Sequence, residues 1–541
     1  MNRLLLLTAA TLPAVAVVGS VEAKAKAKAA KQPNILYIMS DDHCAEGIGA
    51  YGGRFAPLNP TPNIDRIGKE GIIMQNAFCT NGISTPSRAC IVSGQYSQTT
   101  GIMDFEEPLA IEKQHLPIEM KKLGYQTAII GKWHLGNQPE MFDYYNVFYG
   151  QGEYYNPILC EKNEQDKVKK GGKMILGHQF QGHVSDVMGD LVLDWFQNKR
   201  DKDKPFFFCY QDKAPHDLFE FNKEKYSEYL EDTFMPEPAS LWNNHEHGSV
   251  ASRGYNDSMR DTIGSSIGRR NVIRNMGTDL KMNIPDSASD FEYKRLAYQE
   301  YMKWYFRCVK GVDDNVGRVF EYLEKEGLMD NTIIIYTGDQ GFFLGEHDYI
   351  DKRWMYDETQ RMPFMVRYPA KIKAGSSSEA IVNNVDYAGT IIDMAGGKVP
   401  DYMQGESFKE ILYNDGKEPA DWKQATYYRY WMHMGHNHNN PAHFGIRTKD
   451  YKLIFFYAED FRPDRKWAKY NQCVGVKTPV AWELYDLKRD PNEMQNVYGR
   501  PEYAEVTKKL KADLKKMRED LNETDAKYPE IQKVIDKHWN D

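Results

Sequence analysis

The chain has 541 residues, of which 41% are hydrophobic and 27% charged, a balance that suits one large core with a smaller second unit. Its net charge of −8 argues against a nucleic-acid binder, which would normally show a basic surface. Seven cysteines without a CxxC pair exclude a zinc ribbon or a dense disulfide framework and leave one or two bridges open.

In chain order, Met1–Arg3 gives a positive start and Leu4 to Val18 a short apolar run. Val21-Glu22-Ala23 then offers small residues for cleavage. This is the pattern of a secretory signal peptide over residues 1–23, too short to span a bilayer comfortably. No cysteine follows it closely, so no lipid anchor is expected. The mature protein is expected to be exported, periplasmic or secreted, without a transmembrane segment. A Lys/Ala stretch from Lys24 to Lys31 precedes the folded part.

Four apolar runs each end in a cluster of ionisable residues. Asn34 to Met39 leads to Asp41-Asp42-His43, and Thr127 to Ile130 leads to Lys132-Trp133-His134. Phe206 to Tyr210 leads to Lys213, His216 and Asp217, and Thr332 to Tyr336 leads to Asp339-Gln340. Short continuous apolar runs bounded by turn residues fit buried parallel strands. Helical periods lie between them at Asn63 to Lys69, Val184 to Asn198 and Phe291 to Gly327, the last with a break left open around Gly311. The alternation predicts an α/β fold: a large mixed, mostly parallel sheet between helices. Ligands of such sheets bind beyond the strands' carboxyl ends, where all four clusters fall.

Residues from Leu218 to Asp290 read as a polar excursion over the active face. Beyond Gly397 the pattern changes. Ala425 to Met434, His443 to Tyr457 and Ala481 to Leu487 read as strands, and Glu502 to Leu521 as a closing amphipathic helix. The expected division is a catalytic domain over residues 32–397 and a C-terminal antiparallel sheet with a helix over 398–541.

Asp41, Asp42, Asp339 and Gln340 offer hard oxygen ligands, which suit Ca²⁺ or Mg²⁺ better than zinc. Arg88, Lys132 and Lys352 are cations, and His134 and His216 can move protons. Ser84 stands just ahead of Pro86, a residue favoured in a first helical turn. Its helix N-terminus would welcome an anion, and Arg88 returns to the same face one turn later. Phosphate or sulfate is the natural guest, and composition does not separate the two.

The stretch "STPSRACIVSG" (Ser84 to Gly94) resembles the signature of the sulfatase family, of the alkaline-phosphatase-like superfamily, with Ser93-Gly94 in place of the usual Thr-Gly. "SDDH" (Ser40 to His43), "GKWHLG" (Gly131 to Gly136), "APHD" (Ala214 to Asp217), "GDQG" (Gly338 to Gly341) and "DKRWMYDE" (Asp351 to Glu358) continue the resemblance in the family's order. It implies that a Ser-type maturase oxidises Ser84 to formylglycine (3-oxoalanine). It further implies that Asp41, Asp42, Asp339, Gln340 and residue 84 hold one Ca²⁺. Arg88, Lys132 and Lys352 match groups that steady the aldehyde and the sulfate, His134 a partner of the hydrated aldehyde, and His216 the acid for the departing sugar oxygen. Cys90, His43 and Trp133 are expected to serve packing.

Asp351 to Pro369 and His443 to Phe456 resemble bacterial carbohydrate sulfatases acting on N-acetylglucosamine 6-sulfate or mucin. The implied substrate is a sulfated glycan, taken from its end at a sulfated hexosamine or galactose, and 4-sulfated galactose or N-acetylgalactosamine stays open. His433, His436, His438 and His443 are the sugar-binding candidates. Two other readings remain at this level. One is a phosphatase or phosphodiesterase of the same superfamily using unmodified Ser84, and the other is a non-catalytic receptor for sulfated glycans.

Overall fold

A computed structural model describes residues 32–242, 247–253, 282, 284–285, 287–436, 438–462 and 475–541. The expected signal peptide and Cys473 lie outside these residues, as does much of the polar excursion. The four anticipated strands form as Asn34–Ser40, Gln126–Gly131, Phe206–Asp212 and Thr332–Gly338. They are consecutive neighbours in an eleven-stranded mixed sheet and run parallel to one another. Antiparallel strands, among them Phe364–Arg367 and Ile158–Glu161, extend the sheet on either side.

Side-chain alternation explains why these strands are apolar throughout. Ile35, Tyr37 and Met39 enter one core, while Leu36 and Ile38 enter the other. Helices Ser84–Ser93, His115–Lys122 and Asp386–Met394 cover the first face. Helices Val184–Asp194 and Asp290–Lys325 cover the second. Both faces are dry, so each strand needs apolar residues on both sides.

The register sets the site. Ser40 lies level with Gly338 on one side and Asp212 on the other, and Gly131 lies level with Gln211. The four strands therefore stop along one line, and the polar residues that follow them share one edge.

The described residues decide three points the sequence left open or read more coarsely. The helix Asp290–Lys325 runs unbroken through Gly311, opened by a capping box between Ser289 and Glu292. A glycine costs a helix only about 1 kcal/mol, less than this long buried face contributes. A Cβ there would lie 3.4 Å from the Tyr226 ring, an ordinary contact distance, so the packing does not demand the glycine. The helix from Val184 ends its α turns at Asp194 and continues as a π turn to Lys199. The six described cysteines are all unpaired, so the bridges left open by the sequence do not form among them. None of the described helices is long and apolar enough to cross a membrane.

A second, four-stranded antiparallel sheet comprises Ala425–Tyr430, His443–Thr448, Tyr451–Phe456 and Ala481–Asp486. The single run anticipated from His443 to Tyr457 is a hairpin, turning at Lys449-Asp450. Helix Ala504–Asp520 packs on this sheet, and a further helix, Pro529–His538, was not anticipated. All of this belongs to one compact unit, Pro33–Asp541.

A buried ion cluster ties the closing helices to the second sheet. Arg429 meets Glu523 and donates to Asp525 at 2.9 Å, and Arg518 donates to Glu523 at 3.1 Å. The Arg429 guanidinium also lies 3.3 Å from the centre of the Trp431 ring, at the start of the loop that holds His433 to His438. Removing one partner from a buried cluster leaves stranded charge, at a cost of about 3–5 kcal/mol. Arg429→Met is expected to lower unfolding stability by that amount, read from urea denaturation followed by tryptophan fluorescence; an unchanged midpoint would remove the cluster from the fold's support.

Candidate active site

At the tip of Asn34–Ser40 the Asp41 amide still donates to Asp212 of the neighbouring strand, at 3.2 Å. The chain then turns at Asp42, whose φ of 63° is left-handed. Aspartate tolerates that region better than most residues. Asp339 follows the adjacent strand, and its Oδ1 accepts the Asp42 N–H at 3.1 Å. Oxygens of Asp41, Asp42 and Asp339 all lie within 4.8 Å of one another, and the three residues are fully buried. The Gln340 amide nitrogen donates to Asp42, which leaves Gln340 Oε1 buried without a hydrogen-bond partner.

Buried charge and an orphaned carbonyl oxygen are costly unless something positive meets them. Burial, with Asp41 alongside, pushes Asp339 up to about 6. Asp42 is raised as well by burial, even though Lys352 opposes the rise. The donor set is all oxygen, carries three acids and has one carbonyl unsatisfied. It fits a hard divalent cation such as Ca²⁺.

Ser84 is the first residue of helix Ser84–Ser93, with extended Ile83 as its cap. Its Oγ donates to Asp41 Oδ1 at 3.1 Å, so the hydroxyl stands between the helix N-terminus and the acid cluster. Arg88, one turn on, donates to Asp339 Oδ2 at 3.1 Å, to the Lys132 carbonyl at 2.8 Å and to Gln211 Oε1 at 2.9 Å. Lys132 pairs with Asp41, and Lys352 lies 2.5 Å from both carboxylate oxygens of Asp42. Burial lowers Lys132 to about 8 against the pull of Asp41. Asp41 itself, which burial would raise, is held well below the usual carboxylate range by Lys132, His216 and Arg88.

Two histidines flank this cluster. His134, at a left-handed φ of 57°, lies with Nδ1 3.2 Å from Thr85 Oγ1. Burial and the Lys132 charge depress it well below its ordinary value, so its imidazole is neutral. His216 Nε2 is 3.8 Å from Asp42, while its Nδ1 lies 2.7 Å from the Asp217 carbonyl. A cleft of about 400 Å³, lined by Thr85, Phe105, His134 and Tyr149 among others, opens beside the cluster. Every residue anticipated as catalytic or metal-binding thus lies in one connected network.

The four sugar-binding candidates divide. His436 and His438 border the site: the His436 ring is 5.1 Å from Phe105, which is itself 6.0 Å from His134, and His438 Nδ1 is 3.1 Å from Asp351 Oδ2. His433 and His443 are buried in packing. His433 Nδ1 accepts the Ala442 N–H at 3.0 Å, which braces the loop. His443 stands in a strand among Trp354, Tyr428 and Phe456, its Nδ1 2.7 Å from the Pro441 carbonyl and its pKa lowered to about 4 by burial. Both are corrected from sugar contacts to structural residues.

Sequence reasoning missed Gln211, Phe105, Asp351 and Arg353. Asp351 pairs with Arg353 as well as His438, and Asp351 and Arg353 both have left-handed φ, 73° and 90°. Their signal was present, since they flank Lys352 in the quoted "DKRW". Gln211 read only as the end of a strand. Cys90 is buried on its helix, His43 lies 2.6 Å from the Tyr336 hydroxyl, and Trp133 donates to Asn137 at 2.6 Å, all as packing residues.

Comparison with known proteins agrees with this geometry. The sulfatase family profile matches residues 33–397, and that of the N-sulphoglucosamine sulphohydrolase C-terminal region matches 345–520. An N-acetylglucosamine-6-O-sulfatase of Bacteroides thetaiotaomicron is 38% identical over 526 residues, covering 92% of this chain and 88% of the relative. An N-acetylglucosamine-6-sulfatase of Capra hircus is 26% identical, covering 87% of this chain and 81% of the relative. A structure solved in complex with its substrate D-glucosamine-2-N,6-O-disulfate superposes with a TM-score of 0.76 at 36% identity, over 92% of this chain and 99% of that one. A phosphonate monoester hydrolase of Silicibacter pomeroyi, at 18% identity and TM-score 0.63 over 90% of this chain and 96% of that one, shares the fold alone. With a buried serine at a helix N-terminus, an oxygen-only acid cluster and both profile matches, the chain belongs to the sulfatase family of sulfuric ester hydrolases.

Proposed function

We propose that the protein removes O-sulfate from the end of a sulfated glycan, at N-acetylglucosamine 6-sulfate or a closely similar sulfated hexosamine. The observation that carries this reading is Ser84 Oγ, 3.1 Å from Asp41 at the N-terminus of a wholly buried helix. A serine has no reason of packing to occupy so polar a point. The names of the relatives support the sugar, and so do His436, 5.1 Å from Phe105 of the cleft lining, and the His438, Asp351 and Arg353 group next to it. These residues offer charged and polar contacts to hydroxyl groups. A leader at residues 1–23 and export to the periplasm or medium belong to the same proposal, as does a maturase acting on Ser84.

Asp41, Asp42, Asp339 and Gln340 would hold one Ca²⁺, with residue 84 completing its shell. With formylglycine at position 84 and the cation in place, the site would supply a hydroxyl far more nucleophilic than that of plain serine. The remaining work falls to the chain's own side chains. Arg88 and Lys132 fix the position of residue 84 and its carboxylate neighbours. Lys352, with Lys132, offers positive charge to the sulfate oxygens. His134, with Nδ1 3.2 Å from Thr85 Oγ1, stands beside residue 84 as a partner for the hydrated aldehyde. His216, oriented through Nδ1 by the Asp217 carbonyl, presents Nε2 to protonate the departing sugar oxygen.

The phosphatase reading would call for a second metal set beside the first. Among the described residues the only other grouping of three acidic or histidine ligands is Glu164, Asp166 and His178, on a largely exposed hairpin. A receptor would have no use for a placed proton donor such as His216.

Two outcomes are expected. Ser84→Ala should lower sulfate release from N-acetylglucosamine 6-sulfate by at least about 1000-fold with an unchanged circular dichroism spectrum, and the peptide holding residue 84 should be two hydrogens lighter than serine in active enzyme. Intact serine in fully active protein would overturn the reading. Asp351→Asn, which weakens the hold on Arg353 and His438, should raise KM for that sugar about tenfold with a smaller change in kcat. An unchanged KM would remove Asp351 from sugar binding.

A further inference from the structure

A second concave site lies on the closing helix, and none of its lining residues lines the Ser84 cleft. It is a groove of about 570 Å³ bounded by Arg500, Lys508, Lys511, Lys515, Tyr498 and Trp539. Lys508, Lys511 and Lys515 are spaced by three and four residues, so they share one face of helix Ala504–Asp520. Like charges at that spacing repel.

The opposite treatment of other lysines on the same helix is informative. Lys509 pairs with Asp513 and Lys516 with Asp520, each at 2.5 Å and each one turn apart. In the groove, by contrast, none of the described carboxylates pairs with Arg500, Lys508 or Lys515, in a chain whose net charge is −8. The one acidic side chain in the lining, Asp541, is engaged by His538, and the Tyr498 hydroxyl donates to the Asp541 main-chain oxygen.

Lys511 gives the groove a fixed floor. Its Nζ donates to the Tyr498 hydroxyl at 2.7 Å and to the Trp539 carbonyl, and it lies 4.4 Å from the centre of the Trp482 ring. The Trp482 and Tyr498 rings stack at 6.0 Å and 14°. Half-buried Tyr498 and Trp539 in the lining, beside cations without a carboxylate partner, suit a ligand with apolar ring faces and anionic substituents. The volume falls in the range of sites that hold ligands of one to a few rings.

We propose that this groove is a second, non-catalytic binding site for a sulfated segment of glycan, which tethers the polymer while its end occupies the catalytic cleft. The identity of the partner rests on the proposed function above. The test uses the full chain carrying Arg500→Ala, Lys508→Ala and Lys515→Ala together, all exposed residues outside the catalytic set. Calorimetric titration with a heparin oligosaccharide is made in the presence of saturating N-acetylglucosamine 6-sulfate, with neutral dextran and phosphatidylglycerol vesicles as comparators. The parent protein should bind the heparin oligosaccharide and not dextran, with affinity falling as salt rises. The triple variant should bind at least about tenfold more weakly, the Arg500→Lys, Lys508→Arg, Lys515→Arg variant should retain binding, and turnover of the monosaccharide should be equal in all three. Equal heparin binding by parent and triple variant, or binding of vesicles in preference to heparin, overturns the proposal. Heparin bound in the groove by a parent protein that releases no sulfate from the monosaccharide would instead fault the catalytic reading alone.

Discussion

Three carboxylates held out of water at the tips of neighbouring strands are the constraint on which the rest of this structure depends. Burying Asp41, Asp42 and Asp339 together is unfavourable unless their charge is met. Arg88, Lys132 and Lys352 meet it from a helix, a strand end and a loop respectively. Three negative and three positive side chains cancel, yet burial still raises Asp42 and Asp339. Gln340 Oε1 also lacks a partner. The cluster is balanced in sum and unsatisfied in detail, the condition of a site shaped to take a cation and an anion together.

That arrangement accounts for much of the architecture around it. The strands must end level, and the parallel register ensures it. The Ser84 helix must point its N-terminus at the acids, and its complete burial holds it there. The loops pay in backbone conformation: Asp42, His134, Asp351, Arg353 and His436 all adopt left-handed φ. Residues other than glycine accept such conformations where surrounding contacts over-determine them, and they concentrate at functional sites. Here each of the five is at the acid cluster or among the Asp351, Arg353, His436 and His438 group beside it.

Much of the acid, cation and histidine cluster was legible in the sequence because its residues follow the strands directly. Strand ends and motif blocks carry chain-local information, so Asp41, Lys132, His216 and Asp339 could be read without tertiary knowledge. The residues around the cluster were less legible. Asp351 owes its role to His438, far along the chain, and Gln211 to Arg88 on another element. A histidine against aromatic rings looks the same in sequence whether it lines a cleft or a core, which is why His443 was misread beside His438. The hairpin at Lys449-Asp450 was missed for a related reason. Tyr451 to Phe456 continues the apolar character of His443 to Thr448, and only a short polar turn separates them. A break was left open at Gly311 because glycine weakens a helix locally, whereas tertiary packing on both sides decided the outcome.

The most direct test of the account is the metal content of the purified protein, measured by elemental analysis and by calcium titration after chelation. The account predicts one tightly held calcium per chain, lost on Asp339→Asn, with thermal stability rising as calcium is restored. Two equivalents of zinc, or no divalent cation bound at all, would contradict it.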